Sequence, residues 1–413
     1  MKVIMGKLIW LLQLARKNMW RNRLRTLITA TAIFFAVILS VLAESLKQGI
    51  FDNLVKNIVG FYTGYLQVHQ KGYWDEKTLD NSFDYSSRQA DGLRSIAGLR
   101  GLSPRIESFA LASSATITRG CMVVGMLPSA EEEITSLRSK ITKGDYLTND
   151  DQSVLMAQGL AKKLSLKTGD TLYLIGQGYQ GTTAAGKYRI KGLLKFGSPE
   201  LNESALFMPL QLAQDFLSAP GRITALVCMI DDPSKLYATK NALIGALDGQ
   251  QEVMTWEEML PEIKQHIETD SGNMGYVQLI LYVLVFFGIY GTLLMMMMER
   301  KYELGMLVAI GMNKHLLAFC MLLESVFTVL IGCVAGLLAS IPICWYFEEY
   351  PIRISGETAQ AYERFGFEAI FPASTNPSIF IQQGITVFLL SLVLSIYPVY
   401  KVYRTDPILS MKR

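Results

Sequence analysis

Four long apolar stretches, separated by very unequal intervals, constrain everything else in this 413-residue chain. A helix rises about 1.5 Å per residue and a bilayer's hydrocarbon core is about 30 Å thick, so about 20 mostly apolar residues are needed to cross it. Leu27–Ala43 is uncharged and extends to about Lys47; Met274–Met298 ends in four methionines. Leu316–Phe347 is interrupted only by Glu324, and Ile379–Tyr400 completes the set. The expected fold is therefore membrane α-helical, with four transmembrane helices at 27–47, 274–298, 316–347 and 379–400. Residues 48–273 form a large α+β extracytoplasmic domain inserted between helices 1 and 2. The connecting pieces are 1–26, 299–315, 348–378 and 401–413. A cleaved signal peptide is the competing reading of the first stretch, with Val41 and Ala43 in a tolerable cleavage pattern, but the 26 residues before it are long for such a leader.

Direction follows from Lys and Arg near the span ends. Residues 1–26 carry Lys2, Lys7, Arg16, Lys17, Arg21, Arg23 and Arg25 with no acid, while 348–378 holds Glu348, Glu349, Glu357, Glu363 and Glu368 against Arg353 and Arg364. Both termini are expected inside the cell, and 48–273 and 348–378 outside. Leu8, Leu11, Leu12, Ala15, Met19 and Trp20 recur at helical spacing among the basic residues, the pattern of an amphipathic helix lying on the inner membrane surface.

The inserted segment is long enough for a core arranged as two subdomains. Its pattern predicts a strand at Tyr65–His69, a helix at Ser86–Ala97, and strands at 112–118 and 122–126 around an Arg119-Gly120 turn. Then follow a helix at Gly159–Leu166, a strand at Thr171–Ile175, a Gly-rich tip at Gly176–Gly186 and a strand at Lys187–Lys195. A helix at 209–217, a strand at Arg222–Ile230 and helices at Ser234–Leu247 and Glu257–Thr269 complete it. Gly181–Lys187 has phosphate-loop spacing, but Tyr188 stands where such a loop needs Ser or Thr, and a strand follows where it needs a helix.

Several function classes drop out. A net charge of +3 without a basic, aromatic-interleaved run gives no nucleic-acid reading. His69, His266 and His315 are scattered, and neither a catalytic constellation nor a metal-ligand pattern is present. Cys320, Cys333 and Cys344 share one apolar stretch; Cys121 and Cys228 pair only if the fold brings them together.

The segments that suggest a mechanism lie at the spans. Glu299, Arg300, Glu303, Leu304, Gly305, Leu307, Ile310 and Gly311 make a short mixed segment. Its charged turn leads into an apolar stripe (Leu304, Leu307, Val308, Ile310), either a docking surface for another protein or a solvated turn. Glu324, costly inside a span, is expected to pair with an interhelical hydroxyl or cation or to reach the interface, in a structural or coupling role rather than ion transport. Gly332, Gly336 and Ser340 repeat at four-residue intervals, a close-packing face either within the chain or between two chains. Phe34, Phe35, Val37, Leu42, Tyr276, Leu279, Leu281 and Tyr282 line the outer halves of the first two spans, a candidate apolar substrate entrance.

The segments Ala15–Thr26, Ser103-Pro104-Arg105, Leu160–Asp170, Glu299–Gly311 and Asp406–Arg413, in this order and spacing, resemble the FtsX-like permease family, in its lipoprotein-releasing (LolC/LolE) and MacB-type branch. That resemblance implies a dimer of permeases, homomeric or heteromeric. It also implies separate ABC ATPase subunits that bind ATP and magnesium, contact at 299–313, and transmission of motion to the outer domains. This chain is then not itself an enzyme and binds no cofactor, and it sits in the bacterial inner membrane among membrane lipids. The function implied is ATP-driven extraction of lipoproteins, with MacB-like efflux, an FtsX-type regulator of cell-wall hydrolases, or an anchored receptor as alternatives. A periplasmic chaperone or adaptor is a further partner in the family; the chaperone-docking hairpin matches 172–193, which here is short, Gly-rich and without proline.

Overall fold

The computed structural model describes residues 17, 23–357, 359 and 370–403. The amphipathic stretch at the N-terminus and the closing Asp406–Arg413 segment lie outside the described residues. Two compact units emerge: one combines residues up to Asp52, Ile267–Arg353 and Ile370 onwards, and the other is essentially Asn53–His266.

Among the described residues, four helices, lying mostly in the first unit, are long and apolar enough to cross a membrane: Thr26–Ile58, Pro261–Ala309, Lys314–Glu349 and Pro377–Tyr403. A buried cluster joins all four, with Ile33, Val37 and Val41 from the first, Ile289 and Leu293 from the second, Val329 and Cys333 from the third, and Val387 and Leu394 from the fourth. Lipid tails are as apolar as leucine, so such helices associate by close packing rather than by escape from water. Gly332 and Gly336 supply that packing: a Cβ on Gly332 would stand 2.8 Å from the Ala30 carbonyl oxygen, and one on Gly336 2.8 Å from Val37. The four-residue small stripe is thus a seam against the first helix of the same chain. Ser340 is buried and turns its hydroxyl back to the Leu337 carbonyl.

The second helix continues into the expected 299–315 coupling segment. It runs unbroken for 49 residues from Pro261 to Ala309, about 73 Å at helical rise. Glu299–Leu307 is its last turns, because Leu304, Leu307 and Val308 have a packing partner that keeps them helical. Only residues 310–313 turn. Gly311 takes φ 97°, and the amides of Gly311 and Met312 close on the carbonyls of Val308 and Leu307. The Asn313 side chain then caps the third helix through the His315 amide at 2.9 Å.

The second unit is an α/β domain whose described residues form twelve strands: β1 Leu66–Gln70, β2 Phe83–Asp84, β3 Leu99–Ser113, β4 Thr118–Met126, β5 Ile141–Gly144, β6 Ser153–Ala157, β7 Thr171–Gln177, β8 Thr183–Leu194, β9 Ala205–Pro209, β10 Arg222–Ile223, β11 Ala225–Ile230 and β12 Gln251–Thr255, of which β2 and β10 pair separately and the other ten share one sheet. The main sheet runs β12-β1-β11-β3-β4-β9-β6-β8-β5, and β7 bridges β3 and β8. β4 with β9 and β6 with β8 are parallel; the crossover between β6 and β8 carries the helix Gln158–Leu164. β9 and β11 are buried along their whole length, as expected of strands covered on both faces.

Two turns differ from the sequence expectation. The β3–β4 hairpin turns at 114–117, where the Ser114 amide and the Ser113 and Ser114 hydroxyls bond the Ile117 carbonyl. Arg119 and Gly120 lie within β4, and the missing Cβ of Gly120 leaves room for the ring of Phe109 across the pair. The Gly-rich tip shrinks to 178–182, because Gly176 and Ala184–Gly186 pair in register across β7 and β8. Thr183–Lys187 of the phosphate-loop look-alike is strand.

Cys121 and Cys228 flank β3 on opposite sides, level with Ala110 and Leu102 respectively. Eight residues of strand separate those levels, roughly 26 Å, far beyond disulfide reach. Both are free and buried. Burial raises the Cys121 thiol to about 12 and moves Cys228 the same way.

Candidate functional site

The Ala309 end of the second helix gathers most of the chemistry-bearing residues in the membrane unit. Glu324 of the third helix meets Arg300, whose Nη1 donates to both carboxylate oxygens at 2.8 and 2.7 Å. Both side chains are buried, and the guanidinium Nε stands 3.7 Å from Glu303. The carboxylate therefore has a cation as its partner, and Arg300 is withdrawn from the surface. Beside the pair, Leu304, Met297, Leu317, Ala318, Met321 and Val402 form a second buried cluster, with Leu307 and Val308 packed on it.

This geometry re-sorts the expected coupling residues. Leu304, Gly305 and Arg300 face inwards, Leu307 and Glu303 are half-buried, and Glu299, Ile310 and Gly311 are exposed. Of the expected apolar stripe only Ile310 points outwards, at 78 % exposure. The outward stripe is instead Met298, Tyr302, Met306 and Ile310, all exposed. Their four-residue spacing is a sequence signal that gains meaning only once the segment is helical, since residues four apart share a face on a helix and not in a turn. The neighbouring His315 ring bonds the Tyr403 hydroxyl at 3.0 Å, which ties the turn to the end of the fourth helix.

A second polar group lies within the same bundle. Gln383 of the fourth helix accepts at Oε1 from Ser40 of the first at 2.5 Å, and from Tyr282 and Gln278 of the second. No single stretch signals it, since each helix contributes only one or two of these side chains. It removes Tyr282 from the candidate entrance by turning its hydroxyl inwards. Val37 is fully buried against Gly336, and Leu42 packs on the four-helix core. Phe34 and Leu281 are half-buried, which leaves Phe35, Tyr276 and Leu279 as the outward members of the set.

Four apolar helices with a large α/β domain inserted between the first and second define a multi-pass membrane protein of permease architecture. Residues 26–246 match the MacB-like periplasmic core domain and residues 277–407 the FtsX-like permease C-terminal domain. The chain belongs to the FtsX-like permeases with a MacB-like periplasmic core domain, the LolC/LolE/MacB type of ABC transporter permease. It is similar to the lipoprotein-releasing system transmembrane protein LolC of Neisseria meningitidis, 21% identical over 337 residues covering 79% of each chain. LolE of Haemophilus influenzae is likewise 21% identical, over 75% of this chain and 76% of its own. The macrolide export ATP-binding/permease protein MacB of Acinetobacter baylyi is 22% identical over 97% of this chain, which spans 59% of that relative's length.

Proposed function

We propose that this chain is the permease subunit of a machine in which a separate ABC ATPase, holding ATP and magnesium, drives movement of the inserted domain and so extracts lipoproteins from the inner membrane. The observation that carries this reading is the unbroken second helix, Pro261–Ala309. One continuous helix leaves the inserted domain, crosses the membrane and ends in an exposed apolar stripe of the kind a partner protein covers. The Met298, Tyr302, Met306 and Ile310 stripe is the docking surface for the ATPase. Arg300 and Glu324 hold the adjoining helices at a fixed register, so that displacement at the turn is passed on rather than absorbed. In this reading both termini and the 310–313 turn are cytoplasmic, the inserted domain is periplasmic, and a second permease completes the pair.

Lipoprotein cargo is favoured by the relatives named for lipoprotein release, whose lengths this chain matches over about three quarters or more. Acylated cargo would enter past Phe35, Tyr276 and Leu279. A chaperone finds little to hold on the five-residue 178–182 tip, so the other permease supplies that contact. Macrolide-type efflux is the second reading, supported by the MacB relative that covers 97% of this chain. Depletion in cells separates the two. Lipoproteins retained in the inner membrane support extraction, whereas drug sensitivity with normal lipoprotein sorting replaces it with efflux.

A further inference from the structure

The first membrane helix, Arg23–Ile58, does not end freely. It widens into a π turn, Val59–Thr63, before β1 begins. The last carbonyls of any helix lack partners within it, and a π turn leaves them more splayed than an ordinary end. Here four of them are taken. The Gly64 amide closes on the Val59 carbonyl at 3.0 Å, and Lys140 Nζ donates to that of Gly60 at 3.2 Å. Arg105 Nη1 donates to the Tyr62 carbonyl at 2.7 Å, and Gln67 Nε2 to that of Thr63 at 2.7 Å. The three side-chain donors come from separate elements: Gln67 from β1, Arg105 from β3, and Lys140 from the short helical turn after the 128–135 helix.

Arg105 is itself immobilised. It is fully buried, lies over the Tyr62 ring at 4.5 Å, and donates twice to Glu131, from Nη2 at 2.6 Å and Nε at 3.0 Å. Ser103 and Thr135 donate to the same carboxylate at 2.9 Å each. Burial opposes ionisation of Glu131, but Arg105 and these hydroxyls hold its carboxyl below the usual range, so the pair stays charged. Two cations at a helix C-terminus also sit where the helix dipole favours positive charge. Simple capping needs one exposed lysine or a glycine. A fully buried Arg–Glu pair with every lone pair satisfied is an expensive way to achieve it, and replacing such pairs by apolar groups is often neutral for stability.

We propose that Arg105, Lys140 and Gln67 form a grip on the π turn that delivers motion of the first membrane helix to the β-sheet. The grip rests on the reading that ATP hydrolysis moves the inserted domain. Arg105 and Lys140 act as positioning residues: they fix backbone carbonyls and touch no cargo. Without them the π turn, a joint of inherently weak geometry, would flex and dissipate the displacement.

The test uses the full chain in complex with its ATPase in nanodiscs, with spin labels at the exposed Lys56, on the last turns of the first helix, and Tyr237. Two variants are compared with the parent: Lys140→Met, and Arg105→Met combined with Glu107→Gln and Glu131→Leu, which removes Arg105 together with both carboxylates beside it. In the parent the label distance stays narrow through the ATP cycle. In the variants ATP hydrolysis stays within twofold of the parent, the distance distribution broadens, and lipoprotein released per ATP falls at least tenfold. Where the parent releases lipoprotein, unchanged release per ATP in both variants overturns the grip, and a distribution as narrow as the parent's in both variants overturns it in any case. Broadening in the variants of a complex that hydrolyses ATP but releases no lipoprotein even as parent supports the grip while overturning lipoprotein cargo.

Discussion

Arg300 and Glu324 are both buried, so removing Arg300 leaves Glu324 without its cation, and removing Glu324 leaves Arg300 with only the more distant Glu303 at 3.7 Å. Glu324→Leu alone is expected to lower stability by about 3–5 kcal/mol, whereas Arg300→Met with Glu324→Leu restores most of it. Thermal unfolding of the purified chain reads both, and equal losses in the single and double variants would contradict the pair's role. His69 makes a pH-dependent contribution in the inserted domain. It is stacked on Tyr73, its Nδ1 is 2.9 Å from the Thr224 carbonyl, and burial lowers its pKa from the ordinary 6.5 to about 4. Between those values the unfolded chain binds a proton that the folded chain does not, so stability falls as pH falls through that window, by about 3 kcal/mol at full extent. His69→Phe should flatten the melting temperature against pH between 6.5 and 4. Parallel curves for parent and variant would assign the acid sensitivity elsewhere.

The Gly332 and Gly336 seam admits no side chain without moving the first helix, since the nearest atoms include backbone oxygen. Gly336→Leu is expected to destabilise the bundle by about 1–3 kcal/mol, with Gly336→Ala losing less, as measured by unfolding in detergent. On the outward stripe the expected effect falls on association rather than on folding. Tyr302→Asp and Met306→Asp should leave the melting temperature within about 1 °C, because exposed positions outside special features contribute little to stability. Co-purification with the ATPase should fall at least tenfold. Retained binding in both variants would move the docking surface elsewhere.

The arrangement of the four helices also predicts where cargo meets the permease. A photocrosslinking residue at Phe35, Tyr276 or Leu279 faces outwards and should capture an acylated substrate in the membrane. The same probe at Val37, which is fully buried, should not. Capture at Val37 and silence at the other three would require a bundle that opens along the first helix.

Hydropathy is a property each stretch carries by itself, which is why the four spans, the inserted domain between the first two and the family resemblance were legible in order along the chain. The helical segments of the inserted domain were also readable, since their spacing and flanking turn residues are local. Pairing is not local. Arg300 meets a carboxylate 24 residues away on another helix, Arg105 meets Glu131 across a β-hairpin, and Gln383 collects donors from two other spans. The sequence alone determined the four apolar stretches long enough to cross a membrane and where the large domain is inserted between them. Tertiary structure decided which face of each element is spent inside the chain and which is left for a partner, because burial of a polar or apolar side chain depends on what another segment places against it.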